Sequence, residues 1–120
     1  EKVSRMHTPQ GDIVTGVWAD GRLGTFRALV EGPALYGGTA FTADGAVEAG
    51  GYAGYKVLLD RILDYLVSGE APVSLDETVE IFAFMEASNL SLERGGKSVS
   101  LTEVMKKAQK EARRLLKKVQ

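Results

Sequence analysis

The sequence predicts an α+β fold: a mainly antiparallel open sheet of four to six strands, with about three helices packed on one face. Three observations carry this. Residues 2–49 read as short alternating segments separated by turn residues. Residues 54–68, 75–94 and 102–118 instead repeat apolar side chains at helical spacing. Gly50-Gly51 marks the change of period. No linker or internal repeat divides the rest, so residues 1–120 are expected to form a single domain.

Val3–Thr8 is the first expected strand, and Pro9-Gln10-Gly11-Asp12 the turn after it. Ile13–Ala19 sets Ile13, Thr15 and Val17 against Val14, Gly16 and Trp18, the two-residue period of a strand. Asp20-Gly21 signals a tight hairpin in which both central residues take positive φ. Arg22–Val30 places Leu23, Thr25, Arg27 and Leu29 on one face, and Gly24, Phe26, Ala28 and Val30 on the other. Glu31-Gly32-Pro33 breaks that strand. Ala34–Thr42 is a fourth strand whose Gly37-Gly38 suggests a bulge, and Asp44-Gly45 turns it into Ala46–Ala49.

The helices follow. Tyr55, Leu58, Leu59, Ile62, Leu63 and Leu66 stripe the first, which stops at Gly69, and Pro72 separates it from the next. The central helix starts after Ser74, whose spacing to Glu77 has the form of a capping box, and ends at Gly95-Gly96. Its block Val79, Ile81, Phe82, Ala83, Phe84, Met85 is apolar nearly all round, so both flanks need a cover. Lys97–Leu101 is short and strand-like. Ser100 with Glu103 is a second capping box, opening a helix striped by Leu101, Val104, Met105, Ala108, Ala112, Leu115, Leu116 and Val119.

Both faces of the expected sheet carry apolar residues: Trp18, Phe26 and Val30 on one, Ile13, Leu23 and Leu29 on the other. Helices on one side leave the second face bare. That predicts self-association through it, as a dimer or larger. A net charge of −1 gives no bulk field for nucleic acid or membrane, and neither is expected as a partner. The charge is uneven, since residues 102–120 hold seven Lys or Arg against two Glu, a net +5 that leaves −6 on the remainder. The plainer reading of that basic helix is a solvated face, because no aromatic side chains interleave with its cations to stack on bases. The absence of Cys excludes disulfides and thiolate chemistry. With no segment near the roughly 18 apolar residues of a membrane span and no signal peptide, the expected location is the cytoplasm. Glu1 in place of an initiator Met implies a processed or engineered start.

Catalytic constellations are thin. His7 is the single His, and without Cys it makes no transition-metal site and no Ser–His or Cys–His pair, so it is read as structural or exposed. Neither G-x-G-x-x-G nor G-x-x-x-x-G-K-[ST] occurs, and turn geometry accounts for the pairs Gly21/Gly24 and Gly51/Gly54. The most site-like group is Tyr36, Tyr52, Tyr55 and Lys56, around Gly37 and Gly38. Backbone is open at the glycines, and Tyr and Lys can hydrogen-bond sugar-like hydroxyls, so these four are the substrate-binding candidates. The competing reading is amphipathic edge tyrosines beside a solvated lysine. No catalytic, metal or cofactor-binding residue is assigned.

The order GDIVTGVWADGRLGTFRAL, YGGTAF, GGYAGYK and PVSLDETVEIFAFMEASNLSLERGGKSVSL resembles the C-terminal domain of the Gfo/Idh/MocA oxidoreductases, the glucose–fructose oxidoreductase and inositol dehydrogenase family. The resemblance covers residues 1 to about 105 and is most specific in the S-x-x-E-T helix leading to EAS, a further S, G-G and V-S-L. It implies a preceding Rossmann domain that binds NAD(P), and an open sheet whose helix-covered side faces the substrate cleft while its bare side joins subunits. The family's glycine motif and catalytic lysine in E-K-P are not matched here, since Glu1-Lys2 is followed by Val3, and His7 does not correspond to the family's helical histidine. The resemblance therefore implies the substrate-binding and oligomerisation part of an NAD(P)-dependent sugar or polyol oxidoreductase, inactive by itself and holding no cofactor of its own. The alternative is a free-standing or engineered self-associating α+β binding module without enzymatic activity.

Overall fold

A computed structural model describes residues 1–33, 36–52 and 54–119, apart from the side chain of Val119. Ala34 and Leu35 of the expected fourth strand lie outside these residues, as does Val119 as a member of the last apolar stripe. The elements run β1 (Lys2–Thr8), β2 (Gly11–Val17), β3 (Leu23–Leu29), β4 (Gly38–Thr42), β5 (Gly45–Ala49), α1 (Lys56–Ser68), α2 (Leu75–Glu93), β6 (Val99–Ser100) and α3 (Leu101–Val119). The fold is α+β with antiparallel strands throughout. Backbone contacts divide it into two compact units, one of residues 1–31 with 75–120 and one of residues 32–74.

In the first unit the strands lie in the order β3-β2-β1-β6. The register places Val3 beside Val99 and Gly16, and Val14 beside Arg5 and Phe26. Helix α2 lies along β1, and α3 runs beside α2 and β6. The core between them is Val3, Val14, Ala83, Ala87, Leu90, Val99, Leu101 and Val104, with Phe84 and Met105 packed against it. Small residues on α2 let the helix come close: Ala87 and Ser91 are wholly buried. The Ser91 hydroxyl accepts a hydrogen bond from the Arg5 backbone N–H at 2.9 Å, which ties helix to strand where a bare donor would otherwise be stranded.

The stop of α2 and the start of α3 follow their sequence signals. Gly95 and Gly96 take φ of 69° and 86°. Gly96 N–H donates to Ser91 C=O and Gly95 N–H to Leu92 C=O, the paired bonds of a Schellman stop. Ser100 Oγ accepts from Glu103 N–H at 3.1 Å, so that cap forms as its spacing predicts.

The β2–β3 turn departs from its expectation. Trp18 N–H donates to Arg22 C=O and Gly21 N–H to Trp18 C=O, and among the described residues no non-glycine takes positive φ. Asp20 is therefore not left-handed. The loop has three residues, and only Gly21, at φ 87°, turns the chain into β3.

The second unit contains the β4–β5 hairpin and α1. These two strands pair with each other as a separate two-stranded sheet instead of extending the meander. The physical cause lies at the end of β3, where Gly32 at φ 110° and Pro33, which has no N–H to donate, stop the ladder. Helix α1 also belongs to this unit; within the first unit, α2 packs along β1 and α3 beside α2 and β6. Helix α1 ends in a left-handed Gly69 whose N–H reaches Tyr65 C=O at 2.8 Å. Every described residue of Gly32–Ser74 is exposed.

Candidate functional site

The sheet of the first unit has two unlike faces. The side toward α2 carries Val3, Arg5, Val14, Gly16 and Phe26, as the strand periodicity predicts. The opposite side carries rows set by the register: Lys2-Val17-Leu23, Ser4-Thr15-Thr25, Met6-Ile13-Arg27 and Thr8-Gly11-Leu29. Met6, Leu23 and Leu29 are 63%, 73% and 63% exposed, and Ile13 and Val17 are also open. This bare side is a row of hydroxyls between two rows that are apolar except for Lys2 and Arg27.

On the helix side, Trp18 forms a corner that sequence reasoning did not single out. Its ring stacks on Phe84 with centroids 6.1 Å apart and planes 17° from parallel. Gly16 and Gly24 are register partners and form the floor beneath it. A Cβ at Gly16 would lie 2.7 Å from Phe84 and 3.0 Å from the Trp18 ring, and one at Gly24 2.9 Å from the same ring. Gly24 is thus required by the indole and not by a turn, whereas Gly21 and Gly54 do take positive φ, 87° and 83°. Trp18 Nε1 donates to Glu80 Oε1 at 3.3 Å, and the Arg22 guanidinium lies 5.9 Å from the ring centre. Arg22 also binds Asp20, whose carboxyl is held below the usual range first by the Arg22 backbone N–H and then by its side chain. Trp18, Arg22, Glu80, Ile81, Phe84 and Met85 line an open groove of about 490 Å³ together with Glu77. The signal in the sequence was the pairing of Gly16 and Gly24 around a lone Trp, which becomes legible once the register is known.

A polar network crosses the other end of the helix side. Arg5 Nε donates to Asp12 Oδ1 at 2.7 Å and Arg5 Nη1 to Asn89 Oδ1 at 3.1 Å. His7 Nδ1 lies 3.2 Å from the same Asp12 oxygen, and the residue is exposed. The Arg5 hydrogen bond, opposed by partial burial, holds the Asp12 carboxyl below its ordinary range. Among the described residues no cluster of three His, Cys, Asp or Glu could hold a metal ion.

In the second unit the three candidate tyrosines come together. Tyr36 and Tyr52 have ring centres 6.0 Å apart, and Tyr52 meets Tyr55 edge-on at 5.8 Å. Partial burial, and then a hydrogen bond with Tyr55, push the Tyr52 hydroxyl above the usual phenol range. Lys56 does not join them: its ammonium binds Asp60 at 2.6 Å, one turn along α1. The tyrosines are 62–72% exposed and form an open ladder, suited to stacking on a flat or hydroxyl-bearing surface.

Comparison of the chain with protein-family models, with curated proteins and with solved structures finds no match. No helix among the described residues is long and apolar enough to cross a membrane.

Proposed function

We propose that this chain is the substrate-binding and oligomerisation domain of an NAD(P)-dependent oxidoreductase of the Gfo/Idh/MocA kind, acting in the cytoplasm on a sugar or polyol. The observation that carries the reading is the bare face of the four-stranded sheet. Its apolar rows are open while α2 and α3 lie on the other side, an arrangement suited to subunit contact through one face. The ladder of Tyr36, Tyr52 and Tyr55 supports a hydroxyl-rich substrate, while Lys56 would have to leave Asp60 to reach it.

The residues present do not fit the dinucleotide itself. Both sheets are antiparallel, so the described residues contain no strand–helix–strand crossover to aim a glycine-rich turn at a pyrophosphate. In this reading the hydride chemistry belongs to a cofactor held outside this chain, and the chain contributes substrate contacts and subunit pairing.

The test is the intact mass of the protein in its source cells. A species more than about twice the mass of one ordinary domain, binding NAD(P), is expected. A species of 12.9 kDa, the mass of this chain, would overturn the enzyme reading and leave the free-standing assembly module. The sheet face is tested separately by Ile13→Lys with Leu29→Lys. A fall in the size of the assembly in sedimentation, with the circular dichroism unchanged, is the expected result.

A further inference from the structure

Helix α3 carries one apolar stripe along its length, and the protein body covers only the beginning of it. Leu101 and Val104 are buried, and Met105 is half-buried against α2 and β6. The same stripe continues through Ala108, Ala112, Leu115 and Leu116, all of them exposed, the two leucines by 52% and 66%. At helical spacing the seven basic residues fall on the opposite side.

Helix α2 has the complementary defect. Its small residues face β1, while Ile81, Phe82 and Met85 point outward and are 53%, 65% and 55% exposed. Beside the start of α3, an open groove of about 450 Å³ runs along Phe82, Met85 and Glu86. Leu75–Glu93 contains five acidic residues and no basic one, a net −5, whereas Leu101–Val119 carries +5. Helix α1 has an uncovered stripe too, but its two acidic and two basic residues cancel, so charge does not select it for either surface.

We propose that two copies of this chain pair by laying the distal half of α3 of each on the outer side of α2 of the other. The first turns of α3 already lie against α2 within one chain, so the contact extends an interface that this helix makes by construction. Pairing α3 with α3 would set +5 against +5. Pairing α3 with α2 through their apolar stripes brings the basic residues that flank the distal stripe, Arg113 and Lys118, toward the acidic residues of α2. Each copy offers one surface of each kind, so the contact occurs twice about a two-fold axis and closes. It uses neither the bare sheet face nor the tyrosine ladder.

A charge-swap experiment on the full chain tests this. One variant carries Arg113→Glu with Lys118→Glu on α3, and the other carries Glu86→Lys with Glu93→Lys on α2. Alone, each variant sets like charges together, and its dimer dissociation constant rises at least about tenfold, equal to about 1.4 kcal/mol. Mixed in equal amounts, the two restore both contacts, and sedimentation shows a heterodimer of near wild-type affinity. High salt weakens the wild-type dimer in the same direction. The mixing step controls for folding, since misfolded variants would not rescue each other. A wild-type monomer, variants that dimerise unaltered, or a mixture without rescue would each overturn the proposal. So would a salt-insensitive dimer broken by Ile13→Lys, which would assign pairing to the sheet face. Monomers that bind anionic vesicles through α3 would overturn it in favour of a lipid surface.

Discussion

Helices α1 and α2 make an instructive pair. Helix α1 has the cleaner amphipathic pattern, yet none of its residues is buried. Helix α2 is apolar nearly all round, yet it buries Ala83, Ala87, Ser88, Leu90 and Ser91 against the sheet and α3. A clean stripe tells which side of a helix wants cover. What brings a helix close is a set of small residues and a hydrogen bond across the seam, here the alanines and the Ser91–Arg5 contact.

The sharpest way to break this contrast is to truncate one leucine in each helix. Leu90→Ala on α2 is expected to cost about 2–5 kcal/mol, as a buried leucine leaves a cavity. Leu63→Ala on α1, 60% exposed, is expected to change stability by no more than about 0.5 kcal/mol in chemical denaturation. An equal loss at Leu63 would show that the α1 stripe is covered in solution and would erase the difference.

A smaller effect is expected at the Trp18 corner. Gly16→Val forces a side chain into the space held by Phe84 and the indole, and overpacking of this kind costs about 1–3 kcal/mol. Because Trp18 is the single Trp, its emission should shift to the red as the stack opens. An unshifted emission with unchanged stability would mean that the floor can yield and that the glycine is not required.

The weakest effect sharpens the seam from its polar end. Asp12 has a lowered pKa in the folded chain, chiefly through Arg5. A depressed carboxyl contributes stability that is fully present above its unfolded value. The contribution is lost as pH falls from there through the folded value. Asp12→Asn should therefore lower stability at neutral pH and flatten its fall in acid below about pH 4. A titration whose acid limb keeps the wild-type slope would remove Asp12 from the account.

Much of the first unit was legible in the sequence, because alternation along β2 and β3 fixes which side each residue faces and register does the rest. The stop at Gly95-Gly96 and the cap at Ser100 were legible for the same reason: their chemistry is local. The separation of β4 and β5 from the main sheet was not, since strand pattern carries no record of which partner a strand takes. Among the site candidates, the closeness of Tyr36, Tyr52 and Tyr55 followed from their place around the glycines. The pairing of Lys56 with Asp60 follows from helical i,i+4 spacing. The Trp18 groove was hidden because it needs Glu80 and Phe84, which lie more than 60 positions later in the sequence, Glu80 62 after Trp18.

One consequence of the seam concerns the timing of synthesis. Strand β1 is made well before its partners on β6 and α2, with Arg5 and Ser91 separated by 86 positions. At about 5–20 residues per second, the edge of β1 waits several seconds for the segment that closes it. Over that interval the β1–β3 segment lacks β6 and α2, so the edge of β1 and the apolar side chains that α2 covers stay open to other chains.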